Sequence, residues 1–311
     1  MAWQGGIEGG LAAAELLMGE GSPSGKLVDT FAKELADYPS TAYFHESERF
    51  VDYTEDIYVG YRYFETIPNA ADKVNYPFGF GLSYTDFVLN AGAAYEENGR
   101  IYVPVMVTNV GKMAGKEVVQ IYFGAPQGKL GKPAKQLIAF QKTRLLQTGE
   151  SQSMILSWDI DGMASYDDLG KIRESAYVLE KGSYCFYVGV SVRDAVELPY
   201  HYEMQADRIV QQLSRKCAPT SLRQRMLADG SFEELPVTTP VETDANELVP
   251  LTVAETDGFA PAARAGRRYH LWVNTMAQQH RFLREVAQGS ITLDEFMGQL
   301  SDEDLANLLG G

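Results

Sequence analysis

Cysteine is scarce in this sequence: the 311 residues include two, Cys185 and Cys217. A small secreted protein that relies on disulfide bonds would carry more of them. The N-terminal segment MAWQGGIEGG also lacks the basic region and the apolar core of a signal peptide. Together these absences indicate reduced thiols and predict a cytoplasmic location.

Basic residues are also few, since Lys and Arg number 27 against 42 Asp and Glu, and the net charge is −15. Nucleic acid binding requires clustered basic side chains that neutralise phosphates, so this balance argues against nucleic acid as a partner. No apolar run approaches the roughly 20 residues that span a membrane. The histidines His45, His201, His270 and His280 show no metal-binding spacing. We therefore expect no nucleic acid partner, no membrane partner, no metal and no other cofactor.

Residues 1–86 have features of an α/β fold. Residues 7–19, IEGGLAAAELLMG, are apolar almost all round a predicted helix, so we expect this helix to be buried. Gly, Pro and Ser residues end it, and KLVDTF after them is a short extended segment. A buried helix beside a short strand is typical of a parallel α/β sheet. Because no strand precedes the helix, we predict that residues 1–86 are the C-terminal part of an incomplete α/β sandwich domain.

From residue 87 the sequence alternates between apolar and polar residues. The candidate strands are RIYVPVMVTN, EVVQIYFG, KQLIAFQK, SMILSWDI, GSYCFYVGVS and LPYHYEMQ. Short strands separated by turns at this spacing predict a β-sandwich over residues 87–205, and a mainly β fold class for the chain. Pro104, within the first of these strands, cannot donate to a β-ladder and predicts that this strand lies near an edge.

The C-terminal third has a different composition. Residues 206–268 include a long stretch without Lys or Arg in which Glu, Asp, Thr and Pro accumulate, which is typical of a linker. Residues 269–311 are predicted to form a helical tail. Its first helix is amphipathic and ends at Gly289, and Ser290 and Ser301 can cap two short helices after it.

Three ordered stretches resemble one family. The segments WQGGIEGGLAAAELLMGEGSPSGKLVDTF and YPFGFGLSYTDF resemble the C-terminal α/β domain of family three glycoside hydrolases, the β-glucosidase family. The segment VMVTNVGKMAGKEVVQIYF resembles the fibronectin type III-like domain that follows it in that family. The resemblance covers residues 3 to about 195. It implies a fibronectin type III-like (immunoglobulin-like) β-sandwich that follows the incomplete α/β domain.

The C-terminal stretch ITLDEFMGQLSDEDLANLLGG resembles the start of the family's (β/α)₈ barrel domain. In most members the barrel comes first, so its position here resembles the permuted-domain subgroup of the family. The segment GMASYDDLGKIRESAYVLEKG is also similar to that subgroup. The resemblance therefore implies that residues 269–311 are a helical lead-in to a barrel that lies outside this chain.

The resemblance also implies a retaining glycosidase, whose two catalytic carboxylates lie about 5 Å apart. The aspartate nucleophile is expected on the barrel, beyond Gly311, and the acid/base glutamate on a loop upstream of Trp3. No residue of this chain is therefore assigned a catalytic role, and the chain alone is expected to be inactive. The implied substrate of the complete enzyme is a β-glucoside or oligosaccharide. The alternative is a non-catalytic β-sandwich module that binds carbohydrate or a protein partner.

One polar and aromatic loop in the predicted sandwich is a candidate for sugar binding. Its residues Tyr166, Asp167 and Asp168 place an aromatic face beside carboxylates, which suits the CH surfaces and hydroxyls of a sugar. The alternative is a turn whose aspartates cap backbone groups. Two other features have alternative interpretations. Arg62 is expected to pair with a buried carboxylate rather than to bind a substrate. The acidic run in residues 46–56 is expected to be a solvated face rather than a metal or acid/base site.

The segment YPFGFGLSYTDF, residues 76–87, combines a proline and glycines with five aromatic residues. Such a segment holds neither a regular helix nor a long strand. We expect its aromatic side chains to fix the crossing from the α/β part of the chain to the sandwich. It is therefore predicted to be a joint, and residues 1–75 are expected either to be loosely packed or to adhere to the sandwich.

Overall fold

The computed structural model describes residues 5–44, 50–215 and 221–237, together with Thr292 and Phe296. The first three ranges belong to one compact unit, residues 1–241, and residues 242–311 form a second unit. The helices predicted within residues 269–311 lie outside the described residues, apart from those two positions.

Strands outnumber helices in the described part of the chain, which confirms the prediction of a mainly β fold. The helices are α1 (Gly9–Met18) and α2 (Tyr61–Phe64), and four short 3₁₀ helices cover Leu35–Asp37, Pro39–Ala42, Ala71–Lys73 and Ile160–Met163. The strands are β1 (Phe31–Ala32), β2 (Val74–Tyr76), β3 (Phe87–Ala91), β4 (Tyr95–Glu97), β5 (Arg100–Asn109), β6 (Val118–Gly124), β7 (Gln136–Lys142), β8 (Ser151–Asp159), β9 (Ser165–Asp167), β10 (Ala176–Leu179), β11 (Gly182–Gly189), β12 (Val196–Met204), β13 (Arg208–Gln212), β14 (Gln224–Met226) and β15 (Phe232–Glu234).

Two antiparallel sheets form the sandwich. In the first sheet β5 is central: β8 pairs along one side of it, and β3 and β4 pair along the other. The second sheet has the order β12–β11–β6–β7. A smaller sheet has the order β13–β10–β9. All the candidate strands that the sequence showed after residue 87 take part in the two main sheets.

The alternation of the strand sequences decides which side chains lie between the two sheets. On β5, Ile101, Val103 and Val105 are buried, whereas the residues between them are partly exposed. These side chains share one apolar cluster with Ile121 of β6 and Phe186 of β11, in the opposite sheet. Burial of each such side chain stabilises the fold by roughly 1.5–3 kcal/mol. The alternation of apolar and polar residues along β5 therefore places every second side chain in the core of the sandwich.

The prediction that Pro104 marks an edge strand is wrong. β5 has partners on both sides, and Pro104 lies opposite Ile155 of β8. The Pro104 carbonyl oxygen accepts a hydrogen bond from Gly92 N at 2.8 Å, and the N and C=O groups of one strand residue face the same neighbour. Gly92 follows the last residue of β3 and precedes β4. The nitrogen of Pro104, which carries no hydrogen, therefore faces the gap between β3 and β4. No ladder hydrogen bond is lost there.

Helix α1 forms where it was predicted, but the prediction that it is buried is wrong. None of its residues is buried, and Leu17 is 85% exposed. Gly19 ends the helix in the left-handed conformation, at φ 78°. The expected parallel sheet is also not found among the described residues, because β1 pairs with β2 in the antiparallel direction. An apolar sequence favours burial only where a complementary surface is present.

Part of the predicted linker, residues 206–268, forms strands, so that prediction needs correction. β13 pairs with β10, and β14 and β15 form a hairpin in which Met226 is buried. Met226 N donates to Thr54 O at 2.7 Å and ties this hairpin to the N-terminal part of the chain. The partners of these segments, β10 for β13 and Thr54 for Met226, lie earlier in the chain, and composition does not reveal them. Residues 238–268 lie outside the described residues.

The contacts of residues 76–87 agree with their predicted role as a joint. Phe78 lies against Tyr61, with 4.6 Å between ring centroids, and against Tyr122 of β6, at 6.5 Å. Phe78 O also accepts a hydrogen bond from Val192 N at 3.1 Å. Farther along the segment, the Tyr84 hydroxyl donates to a carbonyl of helix α1. The N-terminal part of the chain therefore adheres to the outer face of the second sheet.

Replacing Gly79 with alanine is expected to lower the free energy of unfolding by about 2–3 kcal/mol. Gly79 has φ +80°, a backbone conformation that residues other than glycine adopt only at a cost in free energy. An added Cβ would also lie 2.2 Å from Gln120 Oε1. Gln120 would have to move, and its Nε2 would lose hydrogen bonds to Val190 O at 2.6 Å and to Gly79 O at 3.4 Å.

The matched control is Gly99→Ala, because Gly99 has a similar φ of +76° but no atom within 4 Å of the added Cβ. This control isolates the backbone cost, which we expect to be about 1 kcal/mol. Urea unfolding followed by circular dichroism gives both values. Equal losses in the two variants would show that the contact with Gln120 contributes nothing.

Candidate functional site

The loop that follows β9 is folded around the carboxylate of Asp167. This side chain is fully buried, at 0% exposure. Its Oδ1 accepts hydrogen bonds from Gly170 N and Lys171 N, and its Oδ2 from Ile172 N and Arg173 N, over 2.7–3.0 Å. Burial raises the pKa of Asp167, but the four backbone donors outweigh burial and hold the pKa below its ordinary value. Asp167 therefore organises the loop with its own carboxylate.

Asp168 is held by an arginine from the β14–β15 hairpin. Arg225 Nη1 lies 2.8 Å from both carboxylate oxygens of Asp168. Arg225 also reaches Glu233 from its Nε, at 2.7 Å, and Asp56 from its Nη1, at 3.8 Å. Burial lowers the pKa of Arg225, but the hydrogen bonds that it donates to Asp168 and Glu233 raise the pKa above its ordinary value. The guanidinium group therefore gathers three carboxylates from three separate parts of the chain.

Tyr166 keeps an exposed aromatic side chain. Its relative exposure is 42%, and its ring lies 5.4 Å from that of Tyr177, the residue opposite it on β10. The three residues predicted for sugar binding are thus adjacent in space but differ in environment. Asp167 makes the backbone contacts expected of a turn aspartate, Asp168 is bound in an ion pair, and Tyr166 is open to solvent.

A groove of about 300 Å³ lies on the N-terminal part of the chain, next to this loop. Its lining residues are Val28, Asp29, Asp56, Ile57, Val59, Gly60, Tyr61, Arg62 and Phe78. Asp56 connects the two features, because it lines the groove and also approaches Arg225, the partner of Asp168. The predicted loop and the groove therefore border one another through Arg225.

Arg62 differs from its prediction. It was expected to pair with a buried carboxylate, but it is exposed and makes no ion pair within the described residues. It lines the groove together with Asp29, whose Oδ1 accepts a hydrogen bond from Thr30 N at 2.7 Å. The groove thus presents a hydrogen-bond donor and two carboxylates to solvent.

Asp56 is the carboxylate at the centre of this arrangement. Burial has the largest effect on its pKa and raises it. The charge of Arg225 lowers the pKa, and the nearby charges of Asp168 and Glu233 raise it. The net effect is a pKa above the ordinary value of 3.8. Because Arg225 lies near Asp56 and binds Asp168 directly, neither carboxylate is placed as a free general base or nucleophile. The chemistry that these two carboxylates support is binding.

Neither Arg225 nor the role of Asp56 is visible in the sequence. Arg225 lies 57 positions from Asp168, and the hairpin that carries it was predicted to be a linker. Asp56 was assigned to a solvated acidic face. That interpretation is wrong for Glu55, which is 5% exposed, whereas Glu46 and Glu48 lie outside the described residues.

No three His, Cys, Asp or Glu side chains converge in a way that could hold a metal ion within the described ranges. Over the same part of the chain, no helix is long and apolar enough to cross a membrane.

Two family descriptions match the chain. Residues 1–84 match the glycosyl hydrolase family 3 C-terminal domain. Residues 117–192 match the fibronectin type III-like domain, which covers β6 to β11 of the sandwich.

Several curated proteins are similar to the chain. Beta-glucosidase A of Butyrivibrio fibrisolvens is 53% identical over 100% of this chain and 40% of its own length. A beta-glucosidase of Ruminococcus albus is 41% identical over 99% of this chain and 30% of its own length. A beta-glucosidase of Kluyveromyces marxianus is 38% identical over 63% of this chain and 23% of its own length. The chain therefore spans less than half the length of each of these relatives.

Solved structures agree with these matches. A beta-glucosidase from Paenibacillus barengoltzii superimposes with a TM-score of 0.71 at 42% identity, over 98% of this chain and 33% of the other. Beta-glucosidase 3B from Thermotoga neapolitana, in complex with alpha-D-glucose, has a TM-score of 0.60 at 36% identity, over 68% of this chain and 28% of its own. Residues 1–84 thus belong to the C-terminal domain of glycosyl hydrolase family 3, and residues 117–192 to the fibronectin type III-like domain.

Proposed function

We propose that this chain is a portion of a retaining β-glucosidase-like glycoside hydrolase that cleaves O-glycosyl bonds in carbohydrate metabolism. The observation that carries the proposal is the 53% identity with Beta-glucosidase A of Butyrivibrio fibrisolvens, which extends over the whole chain. Both catalytic carboxylates are proposed to lie outside these 311 residues. The binding of Asp168 by Arg225 supports this, since a retaining site needs two available carboxylates.

The proposed domain organisation has four parts. Residues 1–86 are the C-terminal part of an α/β sandwich domain, residues 87–205 the fibronectin type III-like sandwich, and residues 269–311 the lead-in to a barrel. A connecting segment joins the last two. The Butyrivibrio and Ruminococcus relatives match 100% and 99% of the chain, whereas the Kluyveromyces relative matches 63%. This difference supports a permuted subgroup in which the C-terminal third is shared.

The test compares two polypeptides on an aryl β-glucoside: the purified 311-residue chain and the longer product encoded by its gene with the flanking DNA. We expect hydrolysis by the longer product and none by the chain alone. Hydrolysis by the chain alone would refute the placement of both carboxylates outside it. A longer product that folds but cleaves no β-glucoside would refute the proposed activity.

We further propose that the loop of Tyr166, Asp167 and Asp168 borders the sugar site of the complete enzyme. The exposed ring of Tyr166 suits the CH face of a sugar, and Asp167 holds the loop in place. In the longer product, Tyr166→Ala is expected to raise KM about tenfold with little change in kcat, because it removes binding shared by ground and transition states.

The control is Tyr95→Ala, since Tyr95 is 41% exposed and thus matches Tyr166, but lies on β4. Asp168→Asn tests the carboxylate of the same loop. If Tyr166→Ala and Asp168→Asn both leave KM and kcat unchanged, the loop does not border the sugar site.

A cytoplasmic location is the remaining part of the proposal. Cys185 supports it, because this residue is a free thiol that lies 3.3 Å from the Tyr187 hydroxyl. The substrate is proposed to be a β-glucoside or oligosaccharide, and the complex of Beta-glucosidase 3B from Thermotoga neapolitana with alpha-D-glucose supports a sugar ligand. The alternative, a module that binds carbohydrate without cleaving it, is favoured by one observation: the groove beside the loop.

A further inference from the structure

We propose that the groove lined by Asp29, Asp56, Arg62 and Phe78 is a binding site for one neutral polyhydroxyl molecule of monosaccharide size. The proposal concerns the 311-residue chain as it stands. It does not depend on the hydrolytic activity of any longer product.

The size of the groove limits the ligand. Its volume of about 300 Å³ is at the lower end of the range for ligand sites in proteins, which run from about 300 to 1,000 Å³. Gly60 lines the groove, and its lack of a side chain keeps this space open beside Asp29, because a Cβ at that position would lie 3.4 Å from Asp29 Oδ1. A single sugar ring or cyclic polyol fits such a space better than an extended oligosaccharide.

The charges of the groove favour a neutral ligand. Asp29 and Arg62 carry opposite charges and both line it, and Asp56 is offset by Arg225 Nη1 at 3.8 Å. A cation would be repelled by the two guanidinium groups, and an anion by the two carboxylates. A molecule without net charge avoids both costs.

The hydrogen-bonding groups of the groove match hydroxyl groups. Arg62 makes no ion pair within the described residues, so its N–H groups are available as donors. Asp29 uses Oδ1 for Thr30 N, and its Oδ2 makes no hydrogen bond in the described part of the chain. A hydroxyl both donates and accepts, so adjacent hydroxyls of a polyol can satisfy a carboxylate and a guanidinium together.

An aromatic wall completes the groove and is held in place before any ligand arrives. Phe78 lies 4.6 Å from Tyr61 between ring centroids, and its carbonyl oxygen accepts from Val192 N. Tyr61 is fixed in turn, because its hydroxyl accepts a hydrogen bond from Leu137 N at 3.0 Å. Rigid aromatic rings beside polar groups provide a surface for the CH groups of a sugar.

The experiment titrates the 311-residue chain with methyl β-D-glucopyranoside, myo-inositol, guanidinium chloride and 1-propanol, and follows amide chemical shifts by NMR. We expect saturable shifts around residues 56–62 with the first two compounds. We expect none with guanidinium, which tests for a cation site, and none with 1-propanol, which tests for an apolar one.

Two matched variants decide the role of the groove. Arg62→Met removes the donor and keeps the length of the side chain, and we expect it to raise Kd about tenfold because a charge-assisted hydrogen bond is lost. Arg144→Met is the control, since Arg144 is an exposed arginine whose ion pair with Glu150 lies outside the groove. Asp29→Asn is expected to weaken binding as well.

The outcomes are distinct. Absence of saturable binding by the unmodified chain overturns the proposal, as does binding of guanidinium in preference to the polyols. Equal Kd values for Arg62→Met and Arg144→Met, with matching thermal unfolding curves, also overturn it. A failure here leaves the β-glucosidase proposal intact, because that rests on hydrolysis by the longer product.

Discussion

Replacing Lys132 with methionine is expected to lower the free energy of unfolding by about 3–5 kcal/mol. Lys132 is 1% exposed and lies in the connection between β6 and β7. Its Nζ forms an ion pair with Glu180 and donates to Pro126 O at 2.9 Å and Leu130 O at 3.1 Å. The substitution leaves the charge of Glu180 buried without a counter-ion, which is the main source of the loss.

Glu180 has a second role that shapes the test. Its carboxylate also accepts hydrogen bonds from Lys129 N at 2.7 Å and Leu130 N at 3.1 Å. The loop approaches so closely that a Cβ on Gly128 would lie 2.3 Å from Glu180 Oε1. Glutamine at position 180 keeps an acceptor oxygen without the charge. The double variant Lys132→Met with Glu180→Gln should therefore regain about half of the loss in urea unfolding.

Lys73→Met is the matched control for the Lys132 variant. Lys73 forms an ion pair with Asp37 at 3.6 Å, and its side chain is 47% exposed. Because exposed ion pairs are screened by water, this substitution is expected to cost less than about 1 kcal/mol. If Lys132→Met costs no more than Lys73→Met, the buried pair does not hold the β6–β7 connection in place.

Replacing Asp167 with alanine is expected to lower the free energy of unfolding by about 3–4 kcal/mol, because four backbone N–H groups lose their common acceptor. Those donors belong to residues 170–173. The Asp167→Ala variant should therefore show a larger increase in amide hydrogen exchange rate at residues 170–173 than in β5. Unchanged exchange at residues 170–173 would show that the loop does not depend on this carboxylate.

The pH dependence of Asp167→Asn gives an independent check. The folded-state pKa of Asp167 lies below its ordinary value. Its charge therefore stabilises the fold above about pH 4, and this stabilisation is lost as the pH falls through the folded pKa. Asparagine does not titrate. We expect the unmodified chain to be more stable than Asp167→Asn at pH 7, and the difference to narrow as the pH is lowered below about 4.

Local sequence patterns were sufficient to predict most strands of the sandwich. On β5 the alternation of apolar and polar residues predicted a strand with one buried face, and Ile101 and Val103 occupy that face. Alternation reports burial directly, because successive side chains of a strand point to opposite faces. The same pattern does not show which strands are neighbours. For that reason Pro104 was predicted to mark an edge strand, although β5 is central in its sheet.

The candidate site was less accessible to sequence analysis. Tyr166, Asp167 and Asp168 were found because they adjoin one another in the chain. Arg225, which binds Asp168, was not found, because the sequence between them carries no sign of the contact. Arg62 was expected to pair with a buried carboxylate, but its open position in the groove depends on how α2 is placed.

The sequence by itself determined the family of residues 1–84, six strands of the sandwich and the position of the joint at residues 76–87. These features depend on neighbours in the chain and on the period of the side chains, which a single sequence contains. Only the tertiary structure decided that Arg225 gathers Asp56, Asp168 and Glu233, and that a groove with balanced charge lies beside them. The reason is physical: such contacts join residues far apart in the chain, and their energies depend on distance and burial that only the folded chain sets.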